Sequence, residues 1–395
     1  MKSHFFWLFL LCSCSSAQQK ELPLNGNYYT IDLDGKKETS ILFSSIFKNV
    51  QTIILETNKD CLIGNINEFQ VFEEFVYVLD RLSAKSLFVF NMDGRFVRKI
   101  GNLGRGPGEY VQVIDFTLDT ENRFIFLLDR GNRVHKYLLD GTYVNSITIQ
   151  MPSANIAFIQ YYRNRLYASV LAWNSSKDDF MLLETDPIDG KIISRALPLT
   201  YNKGWGENLT TGHSFFMSRL NDPPRFSQLF MDYIVTVGET ITPYIELKSK
   251  SLFTKKDIEN LPANVRIDEK LRAIQSASKI FDVHSFIENN DLIIFRCQNG
   301  SGVFFTVVFH KKTESVKLAN YLNNDLIFRK DKGGIFGKFV FSDTKGAYEI
   351  IPPIILNRFL ETIKNNEVVP GLDKLDQLMK LNEESNPIIL FYEFK

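Results

Sequence analysis

The 395-residue chain is short of the residue types that most often declare a chemistry, with four cysteines, five histidines and three tryptophans. So few cysteines, two of them within the first fourteen residues, exclude a disulfide framework. Neither sign of charge is in excess, because 46 Lys and Arg face 46 Asp and Glu. A chain with no surplus of positive charge has no bulk electrostatic hold on a polyanion, so nucleic acid is not an expected partner. Long apolar runs are missing as well. Phe5–Cys12 (FFWLFLLC) rises about 12 Å as a helix against the roughly 30 Å of a membrane span, and no later stretch is long and apolar enough. No GxSxG elbow, HExxH pair or Walker loop occurs. What is plentiful is core material: 44% hydrophobic residues, including 34 Phe and 15 Tyr. That composition excludes intrinsic disorder, and the aromatics favour strands over helices.

The apolar run follows Lys2 and precedes small polar residues, the pattern of an export signal. Leu11-Cys12-Ser13-Cys14 resembles a bacterial lipobox, with an aliphatic residue three before the cysteine and a small one just before it. On that resemblance residues 1–13 are a signal peptide and Cys14 receives the lipid. Cys12 fits less well, because bulky Leu11 precedes it. Ordinary secretory cleavage after Ala17 is the alternative, and it leaves a soluble protein. Several acyl chains on one cysteine give the stable anchoring that a single chain does not. The remaining cysteines, Cys61 and Cys297, are expected to be buried free thiols.

Self-similarity sets the architecture. Val76–Ile100 (VYVLDRLSAKSLFVFNMDGRFVRKI) and Phe124–Ile147 (FIFLLDRGNRVHKYLLDGTYVNSI) share one plan. Each has an apolar strand ending in Asp-Arg, a polar turn, a second strand, an Asp-Gly turn and a third strand. Glycine accepts the positive φ that such tight turns need. An inner strand near Val113–Leu118 completes a four-stranded blade. A blade cannot bury both of its faces alone, but a ring of them can, which is a propeller. Looser blades are expected over 164–193, 229–247, 281–318 and 325–351. The 321 residues from Ile31 to Ile351 give about 53 per blade for six blades, and seven blades at the clean repeat length fit almost as well.

Two regions break the pattern. Residues 201–228 read as a turn-rich insertion carrying Trp205, His213 and Arg225. Residues 254–279 read as helical, with a capping box at Thr254 and Asp257 and a face of Ile267, Leu271 and Ile274. Near the end, Ile355, Phe359, Leu360 and Ile363 share a helical face. Leu372, Leu375, Leu378 and Met379 follow as another, within a helical excursion over about 353–382. The chain then returns to strand at Ile388–Phe394. A propeller must shut its ring, and pairing strands from the two ends does so without leaving an edge. Ile388–Phe394 is therefore expected to join Gln51–Glu56.

Between the clean blades lies Gly101-Asn102-Leu103-Gly104-Arg105-Gly106-Pro107-Gly108-Glu109-Tyr110, which resembles the inter-blade segment of NHL-type propellers. With Leu62–Ile66, Asp115-Phe116 and the ending Asn386–Leu390, the chain resembles the six-bladed β-propeller lipoproteins of Bacteroides and relatives. The resemblance implies an all-β, six-bladed propeller with short helical insertions. It also implies a signal over 1–13, a tether over 14–30 and one domain over 31–395. Ser15–Gln19 lacks the acidic residues common in surface-exported lipoproteins of these bacteria, which leaves the periplasm-facing and surface-facing orientations both open.

Candidate site residues are few. The glycine-rich loop is read as a blade crossing rather than a phosphate cradle, since a strand follows it and Pro107 removes a donor. Arg105 and Glu109 are expected to brace it, with Arg105 a lesser candidate for a ligand at the propeller mouth. Asp80 and Asp129 recur at one repeat position and are read as turn-binding groups. His284 falls on an inner strand, whereas His135 and His310 fall farther out, so no metal centre is expected. Calcium stays open, because its oxygen ligands leave little trace in a sequence. Trp205, His213 and Arg225 have the chemistry of a glycan or peptide contact surface, although a loop packed on its own blade accounts for them as well. The expected function is a ligand- or protein-binding module of the cell envelope, tethered to the membrane by lipid, with no cofactor. A lyase or hydrolase in the central channel and a scaffold of an envelope complex are the rivals.

Overall fold

The structure, a computed structural model, describes all residues except 1–17, 21, 24–25, 152–153, 173–179, 207–214, 217–221, 301, 303, 330–338, 366–368 and 370–371. Six small antiparallel sheets stand in a ring as the blades of a β-propeller. Blade 1 runs Glu68–Phe72, Phe75–Asp80, Ser86–Asn91, Phe96–Ile100 from the axis outward. Blade 2 repeats that plan with Val113–Asp119, Phe124–Asp129, Arg133–Leu138 and Tyr143–Thr148. Blade 3 spans Ala154–Tyr162 to Ile192–Pro198, and blade 5 spans Asp282–Glu288 to Ser315–Asn323. Blade 4 begins with the two short strands Phe215–Phe216 and Arg225–Phe226 and ends with Tyr233–Thr236 and Thr242–Lys248. The expected insertion over 201–228 therefore supplies the two inner strands of that blade. Its turn residues had hidden strands only two residues long.

Six hydrophobic clusters hold the ring, one in each gap between neighbouring blades. The strand Phe124–Asp129 shows how. Ile125 and Leu127 pack with blade 1, whereas Phe126 and Leu128 pack with blade 3. Successive strand side chains point to opposite faces, and here both faces are interior. That is why these strands read as unbroken apolar runs rather than as alternations.

Blade 6 consists of Phe339–Ser342, Gly346–Ile351, Ile388–Phe394 and, from the other end of the chain, Phe47–Ile54. Ile388 stands opposite Ile54, and Leu390 opposite Thr52. The closure expected of the terminal strand is thus present. Cluster residues Ile53, Ile389, Phe69 and Val76 seal blade 6 against blade 1.

The residues before Phe47 do something the sequence reading did not anticipate. Gln18–Lys20, Tyr29–Asp32 and Lys37–Leu42 pair in parallel with the outer strands of blades 3, 4 and 5 in turn. Together they make a belt around half of the rim. Within the segment 14–30, expected to be a tether, residues 18–20 and 29–30 are thus paired with blades 3 and 4.

The helices lie off the ring. Helices α1 (Lys255–Glu259) and α2 (Ile267–Ser276) precede blade 5, and Thr254 with Asp257 forms the expected capping box. Only Ile274 of the expected face is fully buried; Ile267 is exposed. Helix α3 (Pro353–Lys364) buries Leu356, Phe359, Leu360 and Ile363. Helix α4 is a single turn (Leu375–Leu378), with Leu372 and Leu378 buried but Leu375 and Met379 exposed.

Candidate functional site

Much of the reactive-looking chemistry fastens blades together. Asp80 ends the second strand of blade 1, and its carboxylate accepts from the amides of Gly64, Asn65, Leu82 and Ser83 at 2.8–3.2 Å. Asp129 accepts from Val111, Gln112 and Arg130 in the same manner. The recurring aspartates are therefore turn-binding groups, each tying the segment that enters a blade to the turn beyond its second strand. In blade 2, His135 extends the device. Its Nδ1 lies 2.8 Å from Ser146 Oγ and its Nε2 3.4 Å from Asp129 Oδ2. Burial works against the Asp129 charge, but bonds from His135 and the three amides hold the carboxyl below its ordinary range.

The glycine-rich loop forms a small parallel ribbon, Asn102–Leu103 with Glu109–Tyr110. Glu109 braces it by accepting the Gly106 amide at 2.8 Å, in place of the ion pair expected with Arg105. Arg105 stays exposed. A side chain at Gly104 would collide with the Glu109 carboxylate, so the brace needs glycine there.

The expected ligand contacts do not come together. Trp205 is only 6% exposed and packs edge-on against Phe230, 5.1 Å between ring centres. It belongs to a satellite core with Phe253 and Ile274, so it is packing material rather than a binding platform. Arg225 is consumed internally: its Nε donates to Glu288 Oε1 at 2.9 Å, and its guanidinium lies 3.6 Å from the centre of the Tyr244 ring. Glu288 also accepts from Tyr244 Oη at 2.6 Å and from Lys311 Nζ at 2.8 Å. This buried knot locks blade 4 to blade 5. His284 does lie on the inner strand of blade 5, where its Nε2 sits 3.1 Å from both Gln298 Oε1 and Asp282 Oδ2. His213 lies outside the described residues. Cys61 and Cys297 are free and buried, and burial pushes both thiols up.

Two features escaped the sequence reading. Asp115, on the inner strand of blade 2, is buried and accepts the Ile159 amide at 2.7 Å. Burial, reinforced by the negative charge of Glu68 from blade 1, pushes its carboxyl well above the ordinary range. The second feature is a groove of about 590 Å³ across blades 5, 6 and 1. The turns Asn289–Asp291, Asp343–Lys345 and the one at Glu73 form its rim. These are the turns between first and second strands in three consecutive blades, so the groove lies on the face of the ring that carries them. Tyr348 and Phe391 line it, their rings 4.8 Å apart. Its carboxylate side chains are engaged within the chain: Arg123 holds Glu73, Lys312 holds Asp291 and Lys48 holds Glu393, each below the ordinary carboxylate range, while Asp343 accepts from the Lys345 and Gly346 amides. Such a groove can meet a ligand with amides, hydroxyls and an aromatic wall rather than with net charge. It draws on residues up to 347 positions apart in the chain, Lys48 and Lys395, and no local pattern signals such a meeting.

The profile of a domain of unknown function, DUF4934, matches residues 28–393. The chain belongs to the DUF4934 family. Two solved structures share the architecture of this DUF4934 propeller. A protein of Bacteroides fragilis described as exported has 18% identity and a TM-score of 0.71, with 93% of this chain and 100% of that one covered. A DUF4221 family member from Bacteroides vulgatus has 12% identity and a TM-score of 0.52, with 88% and 97% covered. Likenesses at that identity speak to the fold. No curated protein matches the chain. Among the described residues, no three His, Cys, Asp or Glu side chains gather where they could hold a metal ion, and no helix is long and apolar enough to cross a membrane.

Proposed function

We propose that this DUF4934 propeller is a binding module of the cell envelope, held to a membrane by lipid at Cys14, and that its ligand lies in the groove over blades 5, 6 and 1. The groove itself carries the reading: a rigid ring presents about 590 Å³ of open volume walled by Tyr348 and Phe391 and rimmed by three loops. Other reactive side chains are spent inside the fold: Asp80 and Asp129 bind the entering segments and turns of their own blades, and Arg225 with Glu288 joins blades 4 and 5. Support for the compartment comes from the lipobox-like run ending at Cys14 and from the exported description of the B. fragilis neighbour. Cys14 is four residues from Gln18, a reach of at most about 14 Å. A lipid there would hold the rim of blade 3 close to the bilayer.

Thermal-shift screening of the full chain against neutral glycans and uncharged peptides tests the groove, since a ligand that binds the folded state raises the midpoint. Thr344→Trp, at an exposed turn on the groove rim, should abolish any shift. A shift that survives it places the ligand elsewhere. Cys14→Ala should move the protein from the membrane pellet to the soluble fraction, and a variant that stays with the pellet refutes the tether.

A further inference from the structure

The belt covers the outer strands of blades 3, 4 and 5, and Phe47–Ile54 is itself the outer strand of blade 6. Among the described residues, nothing covers the outer strand of blade 2, Tyr143–Thr148, in this way. Burial makes the difference plain. Each belted strand has three buried residues, whereas none of the six in Tyr143–Thr148 is buried. Folded proteins usually blunt an open edge with charge or proline. Blade 1 does so, since its outer strand Phe96–Ile100 carries Arg98 and Lys99. Tyr143–Thr148 (YVNSIT) has neither charge nor proline.

The backbone of this edge is oriented for pairing. The Ile149 amide donates to the Asn132 carbonyl at 3.0 Å, and the register sets Arg133 opposite Thr148 and His135 opposite Ser146. Ladder bonds fall on every second residue, so Ser146 and Thr148 direct their N–H and C=O groups away from the blade, toward the rim. Ser146 Oγ is held by His135 and by Tyr143 Oη, both at 2.8 Å, which stiffens the strand at its middle.

With the export signal removed, too few residues precede Gln18 for the belt to reach this edge. Belt strands start at residues 18, 29 and 37, followed by Phe47, so they are 8 to 11 residues apart. One more step upstream would start between residues 7 and 10, inside the export signal. Cleavage before Cys14 leaves four residues ahead of Gln18, and cleavage after Ala17 leaves none.

We propose that the outer edge of blade 2 is a docking site for an extended segment of a partner polypeptide, added as a fifth strand parallel to Tyr143–Thr148. The parallel direction follows the three belt strands, which show what this architecture accepts at the same position. Affinity comes from main-chain hydrogen bonds, and selectivity from alternate side chains meeting an uncharged edge. The site is separate from the groove, and it rests on the export reading only for the removal of the residues that would otherwise reach it.

Residue-resolved hydrogen exchange on the full chain tests the proposal, with a synthetic peptide of residues 36–43 as the probe, because that segment makes this pairing on blade 5. The Ser146 and Thr148 amides should exchange fast in the free protein and at least tenfold more slowly with saturating peptide. Ile147, already bonded within the blade, should be unaffected. Ser146→Pro removes one outward donor, together with the hydroxyl that His135 and Tyr143 hold, and should abolish the slowing at Thr148. Thr148→Pro does the same at the other outward position, with Ser146 as the reporter, should the first variant fold poorly. Amides that are already slow in the dilute free protein, unchanged rates with peptide, or slowing that survives both substitutions would overturn the proposal. So would slowing that tracks protein concentration without peptide, which would make a second copy of the chain the occupant.

Discussion

Removing residues 388–395 deletes the third strand of blade 6 and with it the seam between the two ends of the chain. Ile388, Ile389, Leu390 and Tyr392 are fully buried, and Phe394 is nearly so. At roughly 1.5–3 kcal/mol for each buried side chain, their loss is worth on the order of 8–15 kcal/mol. That matches the roughly 5–15 kcal/mol by which a whole folded domain is ordinarily stable. The truncation also opens two edges, on Gly346–Ile351 and on Phe47–Ile54, where pairing with other molecules becomes possible. The truncated chain should therefore have no cooperative urea transition and no near-ultraviolet dichroism, and it should aggregate. Leu390→Ala gives the graded version, with an expected loss of about 2–5 kcal/mol from transfer and cavity terms together. A truncated chain that unfolds cooperatively at the midpoint of the intact one would show that the ring does not depend on its terminal seam.

Glu288→Gln removes the buried charge that two partly buried cations share, Arg225 and Lys311, whose side chains are 12% and 14% exposed. Urea unfolding should show a loss of about 3–5 kcal/mol, and an unchanged midpoint would mean that the knot is not what locks blades 4 and 5. Asp115 has a folded-state pKa raised above its unfolded value, so its contribution to stability is full in acid and is lost as pH rises through the folded value. Asp115→Asn keeps an acceptor for the Ile159 amide and should flatten that part of the pH–stability curve. A wild-type curve with no decline to remove would contradict the assignment. Cys61 and Cys297, buried and with thiols pushed up, should react with a disulfide reagent only after denaturant is added. Rapid labelling of either in buffer would place it at the surface.

Several parts of this fold follow from the amino-acid sequence alone. The Asp-Gly turns at 93–94 and 140–141, the recurring Asp80 and Asp129, the capping box at Thr254 and the terminal strand Ile388–Phe394 are all where local chemistry puts them. Turn conformation, capping and side-chain period depend on residues within a few positions of one another, so they are written in the order of the residues. The same chemistry does not say what a side chain meets across the ring. Trp205 and Arg225 have the composition of a contact surface, yet packing against Phe230 and pairing with Glu288 make them interior. Parallel pairing of Gln18–Lys20 with blade 3 joins residues 176 positions apart, and a three-residue strand has too short a period to be seen in advance. The groove, the belt and the bare edge of blade 2 were decided by tertiary structure, because each depends on which distant segments the closed ring brings side by side.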